Sequence, residues 1–218
     1  MESALAALSA QVGCWEALIS AKASDDVDQH VIEDPVLRQR FSFRREVDDR
    51  GGEVLHVDVW IDPGGGVTPH LHPAMEERFE VVEGRPSFLA GRAWEEAAPG
   101  QTVTVPPGVR HAYRNTGDTV AYITCKAKPP STLQPFLEDA AALSRAGKIT
   151  RQGLPKGIDA VLQAAVIVEA YRDMVVLLFP PLPPPAVQRV LMPPLARLGR
   201  RRGYRAGRIA EGRVSMTR

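Results

Sequence analysis

Gly64-Gly65-Gly66-Val67-Thr68-Pro69-His70-Leu71-His72-Pro73-Ala74-Met75-Glu76-Glu77 opens the stretch that decides the fold of this chain. Its counterpart runs from Gly100 through Pro106-Pro107-Gly108-Val109-Arg110-His111 to Asn115. His70 and His72 stand two apart, so on a strand both imidazoles leave the same face. Pro73 interrupts the run. Glu77 then begins a second alternation with Phe79 and Val81, while Arg78, Glu80 and Val82 take the other parity. Val109, His111 and Tyr113 share one side of a later strand. Three imidazoles and a carboxylate at these spacings suit one metal ion, since neutral imidazole serves first-row transition metals and a carboxylate adds charge and a hard oxygen.

Outward from this stretch, the chain reads as short strands separated by glycine and proline turns. Leu55, Val57, Val59 and Ile61 alternate with His56, Asp58, Trp60 and Asp62, between the turns Asp48-Asp49-Arg50-Gly51-Gly52 and Asp62-Pro63-Gly64. Phe41, Phe43 and Arg45 alternate before them. Ser87–Ala90 and Arg92–Glu95 read as a hairpin about Gly91, and Thr102–Val105 as a short strand. Ala121, Ile123, Cys125 and Ala127 supply a last apolar face. Such a series argues a β-sandwich or barrel. His56 falls on the polar parity and His30 in an acidic connector, so neither is expected to be a ligand.

The two glycine-bounded segments resemble the motifs of the cupin family. Gly64, His70, His72, Glu77 and Gly84 match G-x5-H-x-H-x3–4-E-x6-G with the longer glutamate spacing. Gly100, Pro106, Gly108, His111 and Asn115 match G-x5-P-x-G-x2-H-x3-N. The resemblance covers roughly Arg40 to Lys128 and implies a mainly β fold, a jelly-roll barrel with one divalent metal inside. His70, His72, Glu77 and His111 are the expected ligands. Iron(II) or manganese(II) fits that set best, and nickel, cobalt, copper and zinc also accept imidazole. Three nitrogens and one carboxylate fill four octahedral positions and leave two for water, dioxygen or a chelating substrate.

Resembling families include dioxygenases, decarboxylases, isomerases and non-catalytic binders. The leading expectation is a small-molecule oxygenase of the dioxygenase type, acting on an enol, flavonol-like or catechol-like substrate. A binding module without turnover and a metal-dependent isomerase or decarboxylase are the rivals. Glu77 is expected to supply charge and to shuttle a proton. Tyr113 is expected either to orient substrate and donate a proton or to pack the barrel. Phe79 is expected to wall the substrate pocket. Glu76 and Arg110 read as solvated, and no phosphate loop, nucleotide fingerprint or nucleophile–base series appears.

The rest of the chain is read without such help. The 44% hydrophobic and 24% charged residues are ordinary for a globular protein. Cys14 and Cys125 stand in no metal or redox spacing, which suits reduced thiols in the cytoplasm. No signal peptide or membrane-spanning run is evident. Residues 1–34 read as a helix (Glu2 to Lys22) with a connector, 35–130 as the barrel, and 131–218 as a helical extension. Within the extension, helices are expected over Pro135–Ala146 and Ile158–Phe179, and another apolar face over Val187–Leu198, which Pro193-Pro194 should kink or split. The overall net charge of +1 hides an asymmetry: from Pro185 on there are nine arginines against the single acid Glu211. That surplus of eight positive charges leaves a surplus of seven negative ones upstream. A small-molecule substrate and a homodimer are the expected partners, with no nucleic acid. The extension is expected to pack on the barrel or dimer; its basic tail also suits a peripheral membrane or acidic-partner contact.

Overall fold

The computed structural model describes residues 31–179 and 181–207. The expected N-terminal helix, His30, Cys14 and the last arginines lie outside these residues. The described chain is built on two antiparallel sheets. Strands β1 (Ile32–Asp34), β2 (Gln39–Val47), β3 (Glu53–Ile61), β5 (Glu76–Glu83), β8 (Thr102–Val105) and β10 (Ala121–Lys128) form one, in the order β1-β2-β3-β10-β5-β8. Strands β4 (His70–Leu71), β6 (Ser87–Ala90), β7 (Ala93–Glu96), β9 (His111–Arg114) and β11 (Val176–Leu177) form the other, in the order β11-β4-β9-β6-β7. This is a jelly-roll arrangement. Its sheet begins three residues inside the stretch read as connector, because Ile32 pairs with Phe41.

The alternations become the core. Leu55, Val57, Val59 and Ile61 are all buried, as are Phe79 and Val81, and Ala121, Ile123, Cys125 and Ala127. They meet Phe88 and Tyr113 of the opposite sheet in one cluster. Asn115 ends β9 as a buried clamp. Its Nδ2 donates to the carbonyls of Ile61 (2.8 Å) and Thr119 (2.7 Å), and its Oδ1 accepts from Gly117 N (3.0 Å). Gly66 bridges to Arg114, with a positive φ of 149°. A Cβ there would stand 2.4 Å from the Tyr113 carbonyl oxygen, so only glycine lets the segment before His70 lie this close to the strand of His111.

Helices α1 (Leu133–Arg145), α2 (Gly157–Ala170) and α3 (Pro185–Arg201) follow the barrel. Two expectations need correction here. The apolar run Ile158–Phe179 is not one helix. It stops at Ala170, where Tyr171 N bonds to the Ile167 carbonyl and Met174 N and Val175 N turn back onto that of Tyr171. The Tyr171 hydroxyl donates to buried Asp139 of α1 at 2.8 Å, which pins the turn. The β-branched pair Val175-Val176 then enters extended structure, and Val176 and Leu177 pair with Leu71 and His70. Of the two outcomes expected at Pro193-Pro194, a kink or a split, the split does not occur: α3 continues through both. The carbonyls they leave without a helical donor belong to Arg189 and Val190, both exposed, so water serves them.

Packing of the extension is intimate. Asp34 accepts from the Ser144 hydroxyl at 2.6 Å, fastening β1 to α1. Leu162 of α2 is fully buried, and a Cβ on Gly199 of α3 would lie 2.7 Å from its carbonyl oxygen. No helix among the described residues is long and apolar enough to cross a membrane. Leu162→Ala is expected to cost about 2–5 kcal/mol in urea unfolding, as for other buried leucines. A cost below about 1 kcal/mol would show that the helices unfold apart from the barrel.

Candidate metal centre

His70 heads the short β4, and His72 follows just beyond its end. Glu77 is the second residue of β5 and His111 the first of β9, directly opposite His70 in register. The two sheets thus contribute to one point. Ring centroids lie 4.2 Å apart for His70 and His111, 5.0 Å for His70 and His72, and 5.3 Å for His72 and His111. One ligand atom from each of the four residues lies within 4.8 Å of the others. His72, Glu77 and His111 are buried.

The hydrogen bonds decide which ring nitrogens face this point. His70 Nδ1 contacts the Thr68 carbonyl at 2.9 Å, His72 Nδ1 that of Met174 at 2.8 Å, and His111 Nδ1 that of Val109 at 3.0 Å. A carbonyl only accepts, so each Nδ1 carries the proton and each Nε2 presents a lone pair. His72 Nε2, His111 Nε2 and Glu77 Oε2 are buried without a hydrogen-bond partner among the described residues. Glu77 Oε2 stands 2.7 Å from His111 Nε2 and 3.5 Å from His72 Nε2. Buried acceptors crowded in this way are costly unless a cation joins them. This cluster can hold one metal ion, and the donor set fits a divalent transition metal.

Without a cation, electrostatics favour the ligating protonation states of His70 and Glu77 but hold a proton on His111. Burial, then the neighbouring His111 and His72, push the His70 imidazole down to about 3, so it is neutral. Burial opposes ionisation of Glu77, but the contact with His111 and the fields of the three imidazoles outweigh it and hold the carboxyl at about 2. Burial also acts against protonation of His111, yet its contact with Glu77 raises it above the usual histidine range.

Two neighbours carried no signal in the sequence. The Cys125 thiol approaches Glu77 Oε1 at 3.8 Å, which leaves Oε2 for the centre. Burial and the adjacent carboxylate keep it well above the usual thiol range, so it stays a thiol. Its place on the inner parity of β10 was legible; its partner was not. Met174 lies 102 residues from His72, and no spacing rule links them.

A cavity of about 120 Å³ opens above the cluster. Phe79 walls it, its ring tilted against Phe88 at 5.5 Å and edge-on to Tyr113 at 5.9 Å. The Tyr113 hydroxyl donates to Gln39 Oε1 at 2.9 Å inside the same cavity. Burial holds this phenol far above its usual range, so it remains protonated. The extension supplies one wall: Leu133, Phe136, Leu137 and Ala140 of α1 line the cavity, with Val175 and Leu177. Glu76 and Arg110 are exposed, and His56 Nε2 lies 2.9 Å from Glu46 Oε2 on the outer face.

Residues 57–125 match the family model described as a cupin domain. These residues form a domain of the cupin superfamily. A protein of Methanocaldococcus jannaschii, named only as uncharacterised, is 29% identical over 89 residues, covering 36% of this chain and 71% of its own. An RmlC-like cupin from Shewanella frigidimarina superposes with a TM-score of 0.42 at 18% identity, covering 48% of this chain and 86% of its own. KdgF from Halomonas sp. gives 0.41 at 18%, covering 49% and 91%. Helix α1 and strand β11, which line this cavity, lie beyond the matched residues.

His72→Ala is expected to lower bound metal per chain and to abolish the rise in melting temperature that added divalent metal gives the unaltered protein. Full metal content in a His70→Ala/His72→Ala double variant would rule this centre out.

The pH dependence has a definite sign. His70 and Glu77 sit below their ordinary values of 6.5 and 4.5, so the unfolded chain takes up protons first. Their stabilisation is complete above those values and is lost as pH falls towards about 3 and about 2. His111, raised, contributes oppositely, its share being lost as pH rises through its folded value. The melting temperature of chelator-treated protein should therefore fall on acidification from pH 6.5, and His70→Ala should flatten that decline.

Proposed function

We propose that this cupin is a mononuclear metal-dependent oxygenase of small neutral molecules that chelate through oxygen, such as enols, flavonol-like compounds or catechols. The supporting observation is that His72 Nε2 and Glu77 Oε2, unpartnered among the described residues, belong to side chains lining an apolar cavity that no described lysine or arginine lines. A phosphorylated or carboxylated substrate would want a cation in that wall. Among the described residues Asp34 is the only acid there besides Glu77, and its Oδ1 already accepts from Ser144, Val36 N and Leu37 N.

A divalent transition metal held by His70, His72, Glu77 and His111 would supply Lewis acidity and access to dioxygen chemistry. The chain's own residues do the rest. Backbone carbonyls of Thr68, Met174 and Val109 keep the three imidazoles in one tautomer and orientation. Phe79, Phe41 and Phe136 exclude water and wall the substrate's apolar body. Glu77 is ionised and its Oε2 faces the centre, so it adds negative charge there that would favour binding of the metal. Tyr113 holds Gln39 in place, which leaves the Gln39 amide to select among polar groups.

The test is dioxygen uptake by iron- and manganese-loaded protein against enols, β-diketones, flavonols and catechols. Uptake matched to product, and lost in His111→Ala, is expected. Conversion that proceeds equally without air would instead indicate an isomerase or decarboxylase. Saturable binding with no conversion would indicate a binding module.

A further inference from the structure

Helix α3 has two apolar faces, and the fold uses one. Gln188, Ala196 and Gly199 are buried, and Met192 and Leu195 pack with Ala196 against Ala165 and Val166 of α2. Turned away from them, Val187, Val190, Leu191, Pro194 and Leu198 recur every three to four residues along a second stripe. Val190 is 72% exposed, Leu191 46%, and Val187 and Leu198 42% each. Four large aliphatic side chains in water on one helix exceed the scattered exposure common to surfaces.

The stripe is bordered by charge of one sign. At 100° per residue, Arg197 and Arg201 flank it on one side and Arg202 on the other, with Arg189 and Arg200 behind. No acid occurs in α3. Among the described residues only Arg202 of these five has an acidic partner, Asp159 at 3.3 Å. That contact places α2's first turn beside the end of α3, where Ile158 is 60% exposed. The chain beyond residue 207 adds Arg208, Arg213 and Arg218 against Glu211.

We propose that this face of α3 is a peripheral docking surface for anionic lipid bilayers. The helix lies in the interfacial plane, its aliphatic stripe enters the headgroup–acyl boundary, and its arginines meet lipid phosphates. From Val187 to Leu198 the stripe runs about 16 Å, at the helical rise per residue. A second copy of this chain is a poorer occupant, since pairing two such faces opposes arginine to arginine. An acidic protein would satisfy the arginines but gives no reason for four exposed aliphatic residues.

The test is co-sedimentation of the full chain with vesicles of phosphatidylcholine alone or mixed with phosphatidylglycerol, at low salt and at about 0.5 M salt. Binding to the anionic vesicles only, weakened by salt, is expected. Val190→Asp/Leu191→Asp should reduce it at least about tenfold, and Arg197→Glu/Arg201→Glu to a similar extent, with circular dichroism and melting temperature unchanged. No binding at low salt overturns the proposal. Binding insensitive to the aspartate pair does too, since the basic tail would then act alone as a polyanion site, as would full displacement by polyglutamate. A dimer seen by light scattering that the aspartate pair dissociates, without vesicle binding, assigns the face to a second copy and overturns it as well.

Discussion

Three backbone carbonyls hold the centre of this molecule. Each accepts the Nδ1 proton of one histidine, and that single constraint aims three Nε2 lone pairs at one point beside Glu77. Two of the carbonyls are local: Thr68 and Val109 each precede their histidine by two residues, so the strands that carry the ligands also orient them. The third, Met174, comes from the turn after α2. The barrel therefore supplies the ligands, and the extension completes the orientation of one of them. A metal site usually depends on such outer partners nearly as much as on the ligands themselves.

The same turn explains why the extension is fastened so firmly. Tyr171 and the Gly207 amide both donate to buried Asp139, at 2.8 and 2.7 Å, which ties the turn and the chain after α3 to α1. Asp34 in turn ties α1 to the first sheet through Ser144. Each buried carboxylate is satisfied by donors from separate elements, so neither is left as an unpaired charge. The contrast with the centre is plain: there, His72 Nε2, His111 Nε2 and Glu77 Oε2 are buried and unpartnered. Polar groups are satisfied where they hold the fold and left open at the four-residue centre, which is the pattern of a site that spends stability on binding.

Roofing the cavity with α1 and β11 also sets its chemistry. A barrel mouth open to water would admit polar molecules; Leu133, Phe136, Leu137, Val175 and Leu177 make it apolar instead. Backbone approaches backbone closely at two other places. Gly66 lets the ligand strands touch, and Gly199 lets α3 sit directly on α2, at distances that any side chain would forbid. With its buried face so engaged, α3 presents its remaining stripe and its arginines to the outside.

By itself the sequence determined which residues turn inward. Alternation in Leu55–Ile61, Glu77–Val81 and Ala121–Ala127 reports the strand face, because side chains on a strand repeat every two residues. The spacing of His70, His72, Glu77 and His111 between glycine and proline turns was enough to nominate the ligands. Only the tertiary structure decided what those faces meet. Apolar content alone could not reveal that the run to Phe179 breaks at Tyr171, since the break rests on a hydroxyl reaching Asp139 and on an open edge at β4. Nor could it show that prolines 193 and 194 are tolerated, which depends on Arg189 and Val190 facing water. Cys125 beside Glu77 and the Met174 carbonyl on His72 were hidden for the same reason. Periodicity records that a residue is buried, whereas its partner is fixed by contacts between segments far apart in the chain.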